Sequence, residues 1–276
     1  MPEVAAVYAH KGEEPPISGR KGITNIFFAH CNLQCIYCQN HQISRRHTEP
    51  NLIALRSVDQ IVEATAQSLQ TTENMVGLVS ATQYADLVPP IVEGLWAMGL
   101  HPTVVYNCGG YELPSVLQKI APYIDIWLPD FKYSDAELAR RYSNAPDYPQ
   151  RAQEALRTMF QLVGSNLPTD DNGLAFRGMI VRHLVLPGQI ENTLGCLGWI
   201  AQELSQKVHV SLMAQYYPPS GIQLPDQLNR PLNAEEYRQA TERLHALGLH
   251  RGWMQELEAS TNYRPDFAKE NIFSSK

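Results

Sequence analysis

The feature that most constrains this chain is a regular exchange of short apolar runs with longer segments of helical period. Ile23–Phe28, Met75–Val79, 103–106, 124–128, 179–186 and 208–213 read as strands. Between and after them, Val58–Leu69, 89–98, 115–120, 135–142, 150–163, 191–204 and 234–247 carry apolar residues at helical spacing. Pro89 and Gly99 bound the second helix in the usual order of proline first and glycine last. Strict alternation of this kind implies parallel strands joined by crossover helices. Six such units suit an open doubly wound sheet or a partial barrel. No glycine-rich phosphate fingerprint follows the first strand, which weakens the nucleotide-sheet option. In a barrel, function gathers on the loops after the strand C-termini.

The loop after the first strand is where the chemistry concentrates. Of five cysteines, Cys31, Cys35 and Cys38 fall within eight residues. A disulfide framework would spread an even number along the chain, whereas a tight cluster in a reducing compartment binds metal or does redox work. Two readings follow from the spacing. A zinc site would need a fourth ligand, which His30 or His41 could supply. An iron–sulfur cluster held by three cysteines would leave one iron open to an outside ligand. Cys108 and Cys196 stand alone, and Cys108 reads as a small buried residue.

Composition narrows the classes further. With 276 residues, 44% of them hydrophobic, the chain can build a large core without disulfides and is too apolar to be disordered. The formal charge is −6, and the densest basic patch is only Arg45-Arg46-His47. That balance argues against a nucleic-acid partner. The first ten residues lack a basic segment followed by an apolar one. The uncharged stretch 22–44 carries Asn32, Gln34, Gln39, Asn40, His41 and Gln42, and so does not suit hydrocarbon. A soluble, cytoplasmic protein without a membrane partner is expected.

The run Phe27-Phe28-Ala29-His30-Cys31-Asn32-Leu33-Gln34-Cys35-Ile36-Tyr37-Cys38-Gln39-Asn40 resembles the CxxxCxxC signature of the radical S-adenosylmethionine (SAM) superfamily, with aromatic Tyr37 before the last cysteine. It looks like the activating-enzyme branch, and is similar to uncharacterised relatives of pyruvate formate-lyase activating enzyme. The resemblance covers roughly 22–218. It implies a partial (β/α)6 TIM-like barrel and a [4Fe-4S] cluster on Cys31, Cys35 and Cys38, whose open iron chelates SAM. One electron would then cleave SAM to a 5′-deoxyadenosyl radical that abstracts hydrogen from a substrate. The cofactor carries the hard chemistry, and the protein orients it and excludes water.

The other strand ends are assigned through the same resemblance. After the second strand, Ser80-Ala81-Thr82-Gln83 stands where the family has Gly-Gly-Glu, so Ser80, Thr82 and Gln83 become candidate SAM contacts without the carboxylate. Asn107, after the third strand, replaces an acid that in the activating enzymes helps bind a monovalent cation. Asp130 and Lys132 match an Asp-x-Lys motif, and strand alternation places both side chains inward. Arg182 matches an arginine that contacts the SAM carboxylate. An arginine in an apolar strand needs an anion, and its planar fork suits a carboxylate. His183 then points to the opposite face as a packing residue. Tyr216 stands in place of a histidine near SAM. The four tryptophans read as packing residues.

The expected organisation is an N-terminal extension over 1–22, a radical SAM core over 23–218 and a C-terminal helical segment over 219–276 packed on the barrel. The electron would come from a flavodoxin or ferredoxin-like donor, since no second cysteine cluster is present. Six strands cannot close a barrel that normally takes eight, so one side of the strand ends should stay open. That opening would admit a glycyl-radical protein or a peptide. Covering it with residues 8–20, or with the tail after Trp253, would narrow it to a small molecule. The alternative outside the enzymes is a zinc-stabilised binding protein.

Overall fold

The computed structural model describes residues 2–45, 48–261, 264–269 and 271–273. Arg46 and His47, two members of the basic patch, lie outside the described residues. Eight strands form one sheet in chain order: β1 (Val4–His10), β2 (Ile23–Phe28), β3 (Met75–Val79), β4 (Thr103–Cys108), β5 (Ile126–Pro129), β6 (Gly178–Leu184), β7 (His209–Met213) and β8 (Gly252–Met254). Strands β2 to β8 run parallel, and β1 pairs antiparallel to β2. The six strands read from the sequence are therefore the centre of the sheet, with one strand added at each edge.

Helices α1 (Pro15–Ser18), α2 (His41–Ser44), α3 (Val58–Leu69), α4 (Val88–Ala97), α5 (Pro114–Ile120), α6 (Ala136–Ser143), α7 (Tyr148–Val163), α8 (Ile190–Trp199) and α9 (Ala234–Ala246) fill the connections. Their ends follow local chemistry. Ser57 and Gln60 close a capping box on α3, and Asn233 and Glu236 close one on α9. Asp135 caps α6 by accepting from Leu138 N–H. Helix α3 turns Ile61, Val62, Thr65 and Ala66 to the sheet.

The two faces of the curved sheet bury different things. The outer face packs on the helices through the larger core, which includes Phe28, Leu78, Tyr106, Trp127 and Val181. The inner face holds a smaller core of Ile17, Ile23, Met75, Val105, Ile126 and Ile180. Ile17 belongs to α1, so the N-terminal segment plugs the interior from below.

Above this floor, the parallel register sets polar residues in lateral rows. Arg182 pairs with Ser211, Ser211 with Trp253, and Asp130 bridges to Arg182. Period-two alternation therefore sends these four side chains to one face.

Candidate functional site

A cavity of about 430 Å³ occupies the interior at the C-terminal ends of the strands. It is lined by Cys31, Cys35, Cys38, Tyr37, Ser80, Asn107, Asp130, Lys132 and Arg182 among the residues expected from the sequence. Thr82, Gln83 and Tyr216 are not on its wall.

The cysteine loop leaves β2 through His30, held at φ 61°. Its backbone is tied to the end of α6, with Ile36 N–H donating to Tyr142 O at 2.8 Å. All five cysteines are free thiols. Each of the three loop sulfurs accepts one hydrogen bond. Leu33 N–H donates to Cys31 Sγ at 3.5 Å, the Ser143 hydroxyl to Cys35 Sγ at 3.0 Å, and the Ser44 hydroxyl to Cys38 Sγ at 3.3 Å. Tyr37, Tyr133 and Ser143 form a hydroxyl chain behind Cys35, with steps of 2.7 Å each. Because Ser143 gives its proton to sulfur, it accepts from Tyr133, which in turn accepts from Tyr37. Burial pushes the Cys31 thiol up to about 12 and raises Cys35 as well. Ligation by these groups therefore entails proton release.

A chain of alternating charge crosses the cavity from this loop. Lys132 Nζ lies 2.5 Å from Asp130 Oδ2, and Asp130 Oδ1 receives Arg182 Nε at 2.8 Å. Arg182 continues to Glu13 Oε2 at 3.2 Å through Nη1 and to Asn107 Oδ1 at 2.5 Å through Nη2. Burial opposes the charges on Asp130, Lys132 and Arg182. The neighbouring charges outweigh it, holding Asp130 below the usual carboxylate range and Lys132 and Arg182 above their ordinary values.

Glu13 is the residue that the sequence reading missed. It also accepts from Asn25 Nδ2 at 3.0 Å and Asn107 Nδ2 at 3.3 Å. Asn25 reaches it by lying over Gly77, where a Cβ would stand 1.9 Å from Asn25 Oδ1. No periodicity marks Glu13, which sits in the turn between β1 and α1.

Three expected SAM contacts, Thr82, Gln83 and Tyr216, are placed off the cavity wall. Ser80 adopts φ 56°, and the turn it makes carries the next residues out of the cavity. Thr82 donates to the buried Glu112 at 2.6 Å, on the wall of a separate cavity. Gln83 Nε2 stitches the β2 and β3 ends together by donating to Ala29 O, His30 O and Ser80 O. Tyr216 is buried, and its hydroxyl is spent on Leu228 O at 2.5 Å. Trp253 is not simply packing, since it lines the cavity from β8. His183 is the satisfied packing residue expected, bonded to Phe131 O at 2.6 Å and the Thr193 hydroxyl at 2.9 Å.

The donor set fits an iron–sulfur cluster better than zinc. Soft thiolates with N–H and O–H donors aimed at sulfur are the usual surroundings of such a cluster. Neither histidine offered as a fourth zinc ligand is placed to serve. Both ring nitrogens of His30 are engaged, Nδ1 with Arg45 O at 2.9 Å and Nε2 with Glu3 at 2.6 Å. Neither His30 nor His41 lines the cavity. Among the described residues no three His, Cys, Asp or Glu side chains are gathered as the shell of a single ion.

The cavity is walled on its open side by both chain ends. Glu13 and Glu14 line it from the N-terminal segment, Pro265 and Phe273 from the tail. The tail crosses from the β8 edge back to β1 and β2, where the Phe273 ring lies tilted at 4.2 Å from His10 and Phe267 lies 5.4 Å from Phe27. Gln42, next to the cysteine loop, binds this tail through Asp266 and Phe267 N–H. Among the described residues, no helix is long and apolar enough to cross a membrane.

No known protein-family profile matches the chain. The uncharacterized protein MJ0674 of Methanocaldococcus jannaschii is 26% identical over 241 residues, 85% of this chain and 64% of that protein. Among solved structures, Streptococcus suis SuiB bound to S-adenosylmethionine superposes with a TM-score of 0.55 at 12% identity, over 83% of this chain and 48% of SuiB. SuiB bound to its precursor peptide SuiA gives 0.54 at 12% identity, over 85% and 48%. The chain thus spans about half the length of SuiB and less than two thirds of the archaeal relative. At these identities the likeness to SuiB shows the fold alone, a partial (β/α)6 TIM-like barrel.

Proposed function

We propose that this chain is a radical SAM enzyme whose [4Fe-4S] cluster is held by Cys31, Cys35 and Cys38. The observation that carries the proposal is the placement of three free thiols, each accepting a hydrogen bond at sulfur, on one cavity at the C-terminal mouth of a radical SAM-type barrel. Such a cluster with SAM supplies one-electron cleavage to a 5′-deoxyadenosyl radical. The chain's own residues prepare the ground for it. Lys132 presents a cation beside the thiols, and the Lys132–Asp130–Arg182–Glu13 chain keeps buried charge paired in a cavity partly screened from water. The electron comes from an external flavodoxin or ferredoxin-like donor, because the remaining cysteines, Cys108 in β4 and Cys196 in α8, are single buried thiols that form no second cluster.

The substrate reading turns on the covered side of the barrel. With the N-terminal segment and the tail on the cavity wall, entry is narrowed toward a small molecule or the tip of a peptide. The peptide is kept as a second reading because SuiB, of the same fold, is described with its precursor peptide bound. Activation of a glycyl-radical protein would require the tail to move aside.

The experiment is anaerobic turnover of the reduced, reconstituted protein with SAM and fractionated cell extract. Accumulation of 5′-deoxyadenosine with a small-molecule fraction supports the first reading, and a modified peptide the second. A protein-borne glycyl doublet in the radical spectrum would instead favour the activating role. No 5′-deoxyadenosine under any condition would contradict radical SAM chemistry.

A further inference from the structure

The charge chain across the cavity is balanced. Lys132 and Arg182 are cations, Asp130 and Glu13 anions, and each is paired. His10, pushed down by burial, adds no charge at neutral pH. Glu14 is left over. It lines the same cavity, is buried, and its Oε2 has no hydrogen-bond partner. Among the described residues this is one of two buried side-chain polar atoms without a partner, and the other, His209 Nδ1, is not a cavity residue. A buried carboxyl oxygen with nothing to bind is costly, so its persistence on a cavity wall calls for a ligand.

The neighbours of Glu14 say which ligand. Ser211 of β7 stands close to the carboxyl and favours its charged form. Trp253 stands beside Ser211 in the lateral row of β8 and also lines the cavity. Its indole is steadied by stacking on His209 at 6.0 Å. Glu14 and Trp253 line one cavity, and a carboxyl oxygen together with an aromatic ring suits an ammonium or guanidinium group, which gains from both. The thiols lie at the other end of the charge chain, beyond Lys132, so the methionine end of SAM has its own place. Burial raises the Glu14 carboxyl above its usual range in spite of the Arg182 charge nearby. An arriving cation would offset that cost.

We infer that the cavity wall formed by Glu14, Ser211 and Trp253 is a substrate subsite that receives a cationic nitrogen, a primary ammonium or a guanidinium. This rests on the reading that the cysteine end of the cavity holds the cluster and SAM.

The test is anaerobic calorimetry on the reconstituted enzyme with SAM bound. The probes are n-pentylammonium, n-butylguanidinium and, as neutral match, 1-pentanol, with N-acetyl-Gly-Lys-Gly-amide to present the same ammonium on a peptide. One charge-assisted contact should make the cationic probes bind roughly ten- to a hundredfold tighter than pentanol. Glu14→Gln should remove that preference and leave SAM affinity unchanged. It should also fold at least as stably, because it removes an uncompensated buried acid. Binding of the peptide as well as the free amines places the cation on a peptide side chain, and binding of the amines alone places it on a small molecule. Both outcomes support the subsite. No preference in the parent, a preference that survives Glu14→Gln, or a loss of SAM affinity in that variant would overturn it. Iron content and SAM binding of the parent are read in the same samples. Their absence would overturn the cofactor reading, whereas their presence without a cation preference would overturn only this inference.

Discussion

Arg182 reaches out of β6 to Glu13 in the N-terminal segment, Nη1 to Oε2 at 3.2 Å, with the two side chains only 14% and 10% exposed. An arginine that the sequence leads one to expect on a ligand carboxylate is thus already held by two carboxylates of its own chain, Glu13 and Asp130. The consequence is structural before it is catalytic. Arg182→Ala would leave Glu13 buried without a counter-charge and Asp130 with Lys132 alone, at a cost of about 3–5 kcal/mol. The denaturant midpoint should fall accordingly, and adding Glu13→Gln should recover part of the loss. A variant as stable as the parent would mean that the ion pairs are not formed in solution.

The cysteines separate cleanly by position. Replacing any one of Cys31, Cys35 or Cys38 by Ala should remove most of the iron bound after anaerobic reconstitution. Cys108→Ala and Cys196→Ala should retain it, since both are single buried thiols outside the loop, Cys108 at the end of β4 on the cavity wall and Cys196 in α8. Iron analysis of the purified variants decides the point, and full iron in the triple variant would exclude these ligands.

Ser143 is a positioning residue for Cys35. Hydrogen bonds to cluster sulfurs favour the reduced, more negative state. Ser143→Ala removes the 3.0 Å donor and cuts the hydroxyl chain from Tyr37 and Tyr133. A redox titration followed by paramagnetic resonance should show a lower cluster potential, with iron content intact. An unchanged potential would make the serine a packing residue only.

Glu112 sets a pH dependence of stability. Burial raises its carboxyl to about 7, against hydrogen bonds from Thr82 and Tyr106. The unfolded value is near 4.5. A group whose folded pKa is raised contributes stability that is present below 4.5 and lost as pH rises through about 7. The shift corresponds to about 3 kcal/mol at most. Glu112→Gln should therefore flatten the decline in urea midpoint between pH 5 and pH 8. An identical slope in the variant would show that Glu112 is ionised in the folded protein without penalty.

Much of the fold was legible because periodicity reports burial. The central strands and the helices appear where the apolar spacing puts them, with α3 and β3 matching end to end. The edge strands were not legible. β1 lacks a polar–apolar alternation, and β8 is three residues long with Gly252 at φ 121°.

At the site, Asp130, Lys132 and Arg182 were picked out by the resemblance, and all three line the cavity. Thr82, Gln83 and Tyr216, picked out the same way, do not, because they follow turns whose geometry depends on tertiary contacts. The positive φ at Ser80 is the clearest case. Glu13 and Glu14 carried no signal at all, since a loop that plugs a barrel has no period.

The most direct test of the account is paramagnetic resonance of the anaerobically reconstituted, dithionite-reduced protein, recorded with and without SAM. The account predicts a [4Fe-4S]+ signal whose shape changes when SAM is added, and which is missing from the Cys31, Cys35 and Cys38 variants. A colourless protein carrying zinc, with no cluster signal under reducing conditions, would contradict it.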